Sequence, residues 1–216
     1  MLCGIWPLVP VLKKELTIRV DRRARENGFG KEQICERSNW REMPVTVILA
    51  VSTSLGLNTL LTLTGLANSS QTYQDVARRQ YGVAFGLGMF LYGVVSPLVE
   101  EILFRGIIYN RLRRFYRPVV AVAVSGILFG VFHGNLVQGV YGTCMGILLA
   151  YVYERKGKFF FPILFHAAAN IAVYSIAHVK QMQDFLFNPV GCAVLLAVST
   201  VCVVLMEKGK GSRMPL

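Results

Sequence analysis

The sequence predicts an all-α protein, a polytopic transmembrane bundle of about six spanning helices. Three observations predict it. Hydrophobic residues make up 54% of the 216 residues and charged residues only 16%, where a soluble domain carries about 25% charged. The apolar residues gather into runs near the length that crosses a ~30 Å hydrocarbon core. The basic residues collect on alternate connections between those runs. This composition excludes a disordered or collagen-like chain, and the length suits one bundle rather than two domains.

The elements follow in order. Residues 1–12 are apolar but too short to span. Basic residues follow that stretch instead of preceding it and no A-x-A site appears, the reverse of a signal peptide. Residues 13–42 carry nine Lys/Arg and six Asp/Glu, with Gly28 and Gly30 breaking any long helix. Residues 1–43 therefore read as a basic cytoplasmic or membrane-surface segment. Residues 44–206 read as the bundle and residues 207–216 as a cytoplasmic tail. The apolar runs are 44–66, 82–110, 118–132, 136–153, 159–177 and 188–206, the second interrupted only by Glu100, Glu101 and Arg105.

Charge sets the orientation. The N-terminal segment holds nine basic residues, the 111–117 turn four, the 154–158 turn three and the tail three. The intervening connections hold two (Arg78 and Arg79), none and one (Lys180). By the positive-inside rule both termini are cytoplasmic. The net charge of +11 is thereby explained without nucleic acid, and the partner it implies is the lipid bilayer. The five cysteines form no CxxC pair. They read as reduced, buried thiols rather than a disulfide framework.

A few residues violate this lipid chemistry. A charged side chain at the centre of a spanning helix costs roughly 2.5–3.5 kcal/mol on insertion scales. The second run nevertheless contains Ser-Pro-Leu-Val-Glu100-Glu101-Ile-Leu-Phe-Arg105. Glu101 and Arg105 lie one turn apart and can pair, whereas Glu100 points about 100° away and is left without a partner in its own helix. Pro97 removes the bond to the Gly93 carbonyl, so a kink is expected there. His133 ends Phe129-Gly-Val-Phe-His133, beside a stripe of Gly126, Gly130 and Gly134. In His166-Ala-Ala-Ala-Asn170 an imidazole and an amide share one face, with small residues that admit a close neighbour. Counted from Arg117, Glu100 and His133 fall level. Counted from Arg155, His166 falls shallower, a mismatch that disappears if the second and third helices project into the cytosol. All four polar groups are then expected below the cytoplasmic surface.

Each residue has a plainer use: an ion pair fixing helix register, a helix-terminal histidine at the interface, an asparagine gluing helices together, a phenylalanine that packs. A Glu, two His and an Asn on three apolar helices make a poor structural set and a serviceable catalytic one.

Taken in order, Glu100-Glu101-x-x-x-Arg105, Phe129-x-x-x-His133 and His166-x-x-x-Asn170 resemble the three motifs of the CAAX-protease and bacteriocin-processing (CPBP, or Abi) family. These are intramembrane glutamic endopeptidases related to the type II CAAX prenyl endopeptidase. The resemblance covers residues 82–178. It implies a bacterial plasma-membrane hydrolase acting on a peptide or membrane-associated protein, in CAAX-type or bacteriocin-leader processing or in immunity. It also implies that Glu100 with His133 activates water, that His166 and Asn170 hold the oxyanion, and that Glu101, Arg105 and Phe129 support them, with no cofactor. Two readings compete. Two His and a carboxylate are a catalytic zinc set, although HExxH is absent. A non-enzymatic immunity or binding protein would also place polar groups in the membrane.

Overall fold

The computed structural model describes residues 6–28 and 42–208. These are helical almost throughout, with no strand among the described residues. Helix α1, Val9–Asn27, ends where expected, because Gly28 takes the left-handed conformation (φ 66°) and its N–H closes on the Ala24 carbonyl. Helix α2 spans Met43–Leu63 and has its proline in the first turn, where no helical bond is lost. After a turn at Leu66–Ser69, the short helix α3, Gln71–Tyr81, begins at Ser70, whose hydroxyl accepts from the Tyr73 N–H. Helix α4 runs unbroken over Phe85–Phe115. Then come α5 (Pro118–Phe132), α6 (Leu136–Lys156), α7 (Phe160–Ala177), α8 (Lys180–Leu186) and α9 (Pro189–Lys208).

Among the described residues five helices are long and apolar enough to cross a membrane: α2, α4, α6, α7 and α9. The remaining apolar run is α5, with 15 residues. That is roughly 22 Å at 1.5 Å per residue, short of the ~30 Å hydrocarbon core. The molecule is a polytopic all-α bundle.

Lipid tails are as apolar as leucine, so helices in a bilayer hold together by close packing and hydrogen bonds. Both are present. A β-carbon at Gly126 would lie 2.5 Å from Ile147 Cγ1, one at Gly130 2.1 Å from Thr143 Oγ1, and one at Gly146 2.9 Å from Gly126 Cα. The α5 and α6 backbones therefore touch. Gly134, expected on the same stripe, has nothing within 4 Å; it sits at φ 74° and ends α5 instead. Between α2 and α9, the Ser199 hydroxyl meets Ser52 at 2.9 Å and Thr53 at 3.1 Å. Leu49, Phe104, Phe129, Leu149 and Phe165 form the apolar centre. Of the described cysteines, Cys192 and Cys202 are buried and Cys144 is exposed, against expectation, because it lies on the outer side of the α5–α6 hairpin. Cys3 and Cys35 lie outside the described residues.

The arginine-rich end is a packed polar layer. Helix α1 lies across it, with Arg19 only 2% exposed. Arg19 donates to the Tyr153 carbonyl at 2.8 Å and Arg23 to the Glu154 carbonyl at 2.6 Å, capping the C-terminus of α6. Burial first, then the nearby Arg19 charge, pull the Arg23 guanidinium down to about 10. The Glu154 carboxylate accepts from Arg19, Arg113 and Tyr109. Residues 29–41 and 209–216 of the predicted basic segment and tail lie outside the described residues.

Candidate active site

The site begins with an irregularity in α4. Leu91–Val95 forms a π turn, in which the Ser96 N–H reaches back five residues to Leu91. In that register the donor for the Tyr92 carbonyl would be residue 97, which is proline and has no N–H. The Asn170 Nδ2 supplies the bond from α7 at 2.8 Å. Pro97 is thus accommodated by a wide turn, and the carbonyl it orphans ties α4 to α7 beside the candidate residues. A second π stretch, Ile102–Tyr109, follows directly after the two glutamates.

Glu101 and Arg105 pair as expected, at 3.0 Å with both side chains fully buried. The pair is anchored twice more. Arg105 donates to the Gly146 carbonyl at 2.8 Å, and its guanidinium lies 4.7 Å from the centre of the Phe129 ring. His166 Nδ1 lies 2.9 Å from the same Glu101 oxygen that Arg105 holds. The carboxylate accepts, so Nδ1 carries the proton and Nε2 faces away. Glu101 therefore orients a candidate catalytic histidine directly.

Glu100 does have a partner in its own helix. The Ser96 hydroxyl, one turn earlier on the same face, donates to Glu100 Oε1. Glu100 Oε2 then lies 3.8 Å from His166 Nε2, too far for a direct hydrogen bond. His133, at the end of α5, holds its ring by an Nδ1–H bond to the Phe129 carbonyl at 2.8 Å, which leaves Nε2 outward. Phe129 stands between the two imidazoles, edge-on, with ring centres 4.9 Å from His133 and 5.6 Å from His166.

Glu100, Phe129, His133, His166 and Asn170 all line one cavity of about 220 Å³. Helices α4, α5 and α7 thus bring the predicted catalytic residues together, while Glu101 and Arg105 lie behind its wall. Ser96, Gln138, Tyr141 and the α3 residues Tyr73, Ala77 and Tyr81 also line it. Sequence reasoning missed these. Only Ser96 left a trace, its i,i+4 spacing to Glu100. Burial raises the Tyr73 and Tyr81 phenols above their usual range, so both remain neutral. Among the described residues no three His, Cys, Asp or Glu side chains are grouped as metal ligands would be.

Residues 82–172 match the family model described as Type II CAAX prenyl endopeptidase Rce1-like. The likeness covers 91 of the 216 residues. Over 103 residues the chain is also 30% identical to a Bacillus subtilis (strain 168) protein named "Putative membrane peptidase YdiL", an alignment that covers 48% of this chain and 42% of that relative. The match therefore spans less than half the relative's length. No solved structure matches the chain. The Rce1-like segment takes in α4 to most of α7, which carry all three motifs, and with its apolar helices it places the protein in the membrane.

The structure corrects the expected depth. On α2 the cavity is lined by Asn58 and Leu61, near the helix end remote from the arginines. On α6 its lining residues all precede Gly146, the helix midpoint. The site therefore occupies the half of the bundle away from the arginine-rich end. His166 looked shallow because α7 starts inside the bundle, with Phe159 packed beside Gly106 of α4.

Proposed function

We propose that the protein is an integral-membrane endopeptidase in which Glu100 activates water to hydrolyse a peptide bond. The observation that carries this reading is the convergence of Glu100, His133, His166 and Asn170, from three helices, on one cavity. The Rce1-like segment supports the same class.

In this reading a water between Glu100 and His166 gives its proton to Glu100 as its oxygen attacks the scissile carbonyl. Ser96 holds the other Glu100 oxygen and fixes the direction of the base. His133 Nε2 helps orient the water. The oxyanion is received by the His166 imidazolium, which donates from Nε2 while its Nδ1–H stays on Glu101, and by the Asn170 N–H that Tyr92 does not use. Glu100 then returns the proton to the departing amine as the C–N bond breaks. Glu101 and Arg105 hold His166 in place without touching substrate. The termini and the arginine-rich end face the cytoplasm of a bacterial cell. The physiological role is maturation or removal of a membrane-associated peptide, of the CAAX-type or bacteriocin-leader kind.

Glu100→Gln keeps size and polarity and removes the base. Cleavage of a fluorogenic peptide library by the purified variant should fall to background, with thermal stability unchanged. Near-normal cleavage refutes the mechanism. Loss of wild-type activity on chelation, restored by zinc, would reassign Glu100, His133 and His166 as metal ligands.

A further inference from the structure

The cavity lies toward one end of the bundle, and α3 lies against it there. Its lining takes Asn58 from the end of α2, Ala77 from α3, Tyr92 from the first third of α4, Gln138 and Tyr141 from the start of α6, and Tyr174 from near the end of α7. These positions cluster at the end of the bundle opposite the arginines. The other end is closed: α1 lies across it, and the layer of Arg19, Tyr109, Arg113, Tyr153 and Glu154 fills the space beneath.

The roof itself is slight. Helix α3 has 11 residues, none of them fully buried, and it turns the half-buried Tyr73, Ala77 and Tyr81 to the cavity while Gln71, Asp75, Arg78 and Arg79 stay exposed. This is a polar-faced helix suited to a membrane surface. The connection that carries it holds two basic residues, whereas the 111–117 and 154–158 turns at the opposite end hold seven. The positive-inside rule then sets the cavity mouth on the extracytoplasmic face.

The lining also restricts what binds. Among the described residues Glu100 is its only carboxylate and no Lys or Arg lines it; the rest is phenol, amide, hydroxyl and apolar surface, with His133 and His166. A neutral segment with aromatic or aliphatic side chains matches such walls, while an acidic one would set its carboxylates against Glu100.

Resting on the endopeptidase reading above, we propose that the substrate is a neutral, apolar peptide segment presented at the extracytoplasmic surface, which reaches Glu100 past α3 rather than from the cytosol.

Two measurements test it. Arg79→Cys and Ala77→Cys proteins in sealed right-side-out and inverted membrane vesicles are treated with a membrane-impermeant maleimide, with the parent chain as background. Both cysteines should label in right-side-out vesicles and lose labelling in inverted ones. The opposite pattern overturns the proposal, whether or not the protein is a protease. Peptides with neutral cores and charged, impermeant ends are then supplied outside each vesicle type. Cleavage that requires Glu100 and occurs in right-side-out vesicles supports the proposal. Glu100-dependent cleavage confined to inverted vesicles overturns the direction of access and leaves the glutamate mechanism standing. Cleavage of acidic cores as fast as neutral ones overturns the stated specificity. Absence of Glu100-dependent cleavage in both types, after the labelling has placed the cavity, refutes the enzymatic reading and the substrate with it.

Discussion

At the scale of single residues, Asn170 separates a structural from a chemical account. One amide N–H fills the gap that Pro97 leaves at the Tyr92 carbonyl, and Asn170 also lines the cavity. Asn170→Ala should destabilise by about 1–3 kcal/mol, because a buried acceptor is left unpaired, and should also lower turnover by about 10²–10³ if its second N–H holds the oxyanion. Denaturation in detergent and steady-state rates measure the two effects. A stability loss with full turnover would leave Asn170 as helix glue. Arg105 makes the converse case. It is fully buried and holds Glu101, the Gly146 carbonyl and the Phe129 face. Arg105→Ala leaves an unpaired buried carboxylate and should cost about 3–5 kcal/mol, read as a lower thermal midpoint and reduced yield. Glu100, Glu101, Arg105, Phe129, His133, His166 and Asn170 were all legible in the sequence, because charge, imidazole and amide are conspicuous among apolar residues and Phe129 lies one turn before His133. Their partners were not. The Glu101–His166 bond joins residues 65 positions apart, and no local spacing encodes it.

At the scale of elements, the two π stretches of α4 could not be read from periodicity, which assumes one helical pitch. Pro97 signalled a disturbance and the structure gives its form. The turn widens in place of a simple kink, which changes the face on which Glu100 emerges relative to Tyr92. Pro97→Ala restores an N–H and removes the ring that opposes a regular turn. Helix α4 should then relax toward the α register, releasing Asn170 and rotating Glu100 away from His166. Activity should fall strongly while stability is held or raised, since proline inside a helix costs ~3 kcal/mol. Retained turnover would mean that the π turn is incidental to the site. The α5–α6 contact is the second element-scale dependency. A methyl at Gly146 meets Gly126 Cα and O at 2.9 Å, both rigid backbone. Gly146→Ala should push the hairpin apart, costing about 1–3 kcal/mol as overpacking does, and should displace His133 enough to lower turnover. The glycine stripe on α5 was visible in the sequence. Its partners Gly142 and Gly146 on α6 became meaningful only once the two helices were seen to touch.

At the scale of the whole molecule, fold class follows from apolar length and the expected orientation from basic charge, quantities that add along the chain and survive ignorance of contacts. Depth does not. It depends on where each helix begins relative to its neighbours, and α7 starts beside Gly106 and not at the membrane surface. A topology measurement checks what the charges imply. Reporter fusions after Lys156 should report cytoplasm, since that connection carries Arg155, Lys156 and Lys158. Fusions after Gln71 should report the opposite side, because α2, 21 residues without a charge, is long and apolar enough to cross once. The fusion after Asn135 is the discriminating one. It follows α5, whose 15 residues fall short of a full span. Yet the turn it enters lies at the α3 end of the bundle, where Gln138 and Tyr73 line the same cavity. Its reporter should therefore match the Gln71 fusion. A cytoplasmic signal at Asn135 together with an outside signal at Gln71 would mean that the hairpin of α5 and α6 dips into the bilayer without crossing it. The cavity mouth would then no longer share a side with the end of α2.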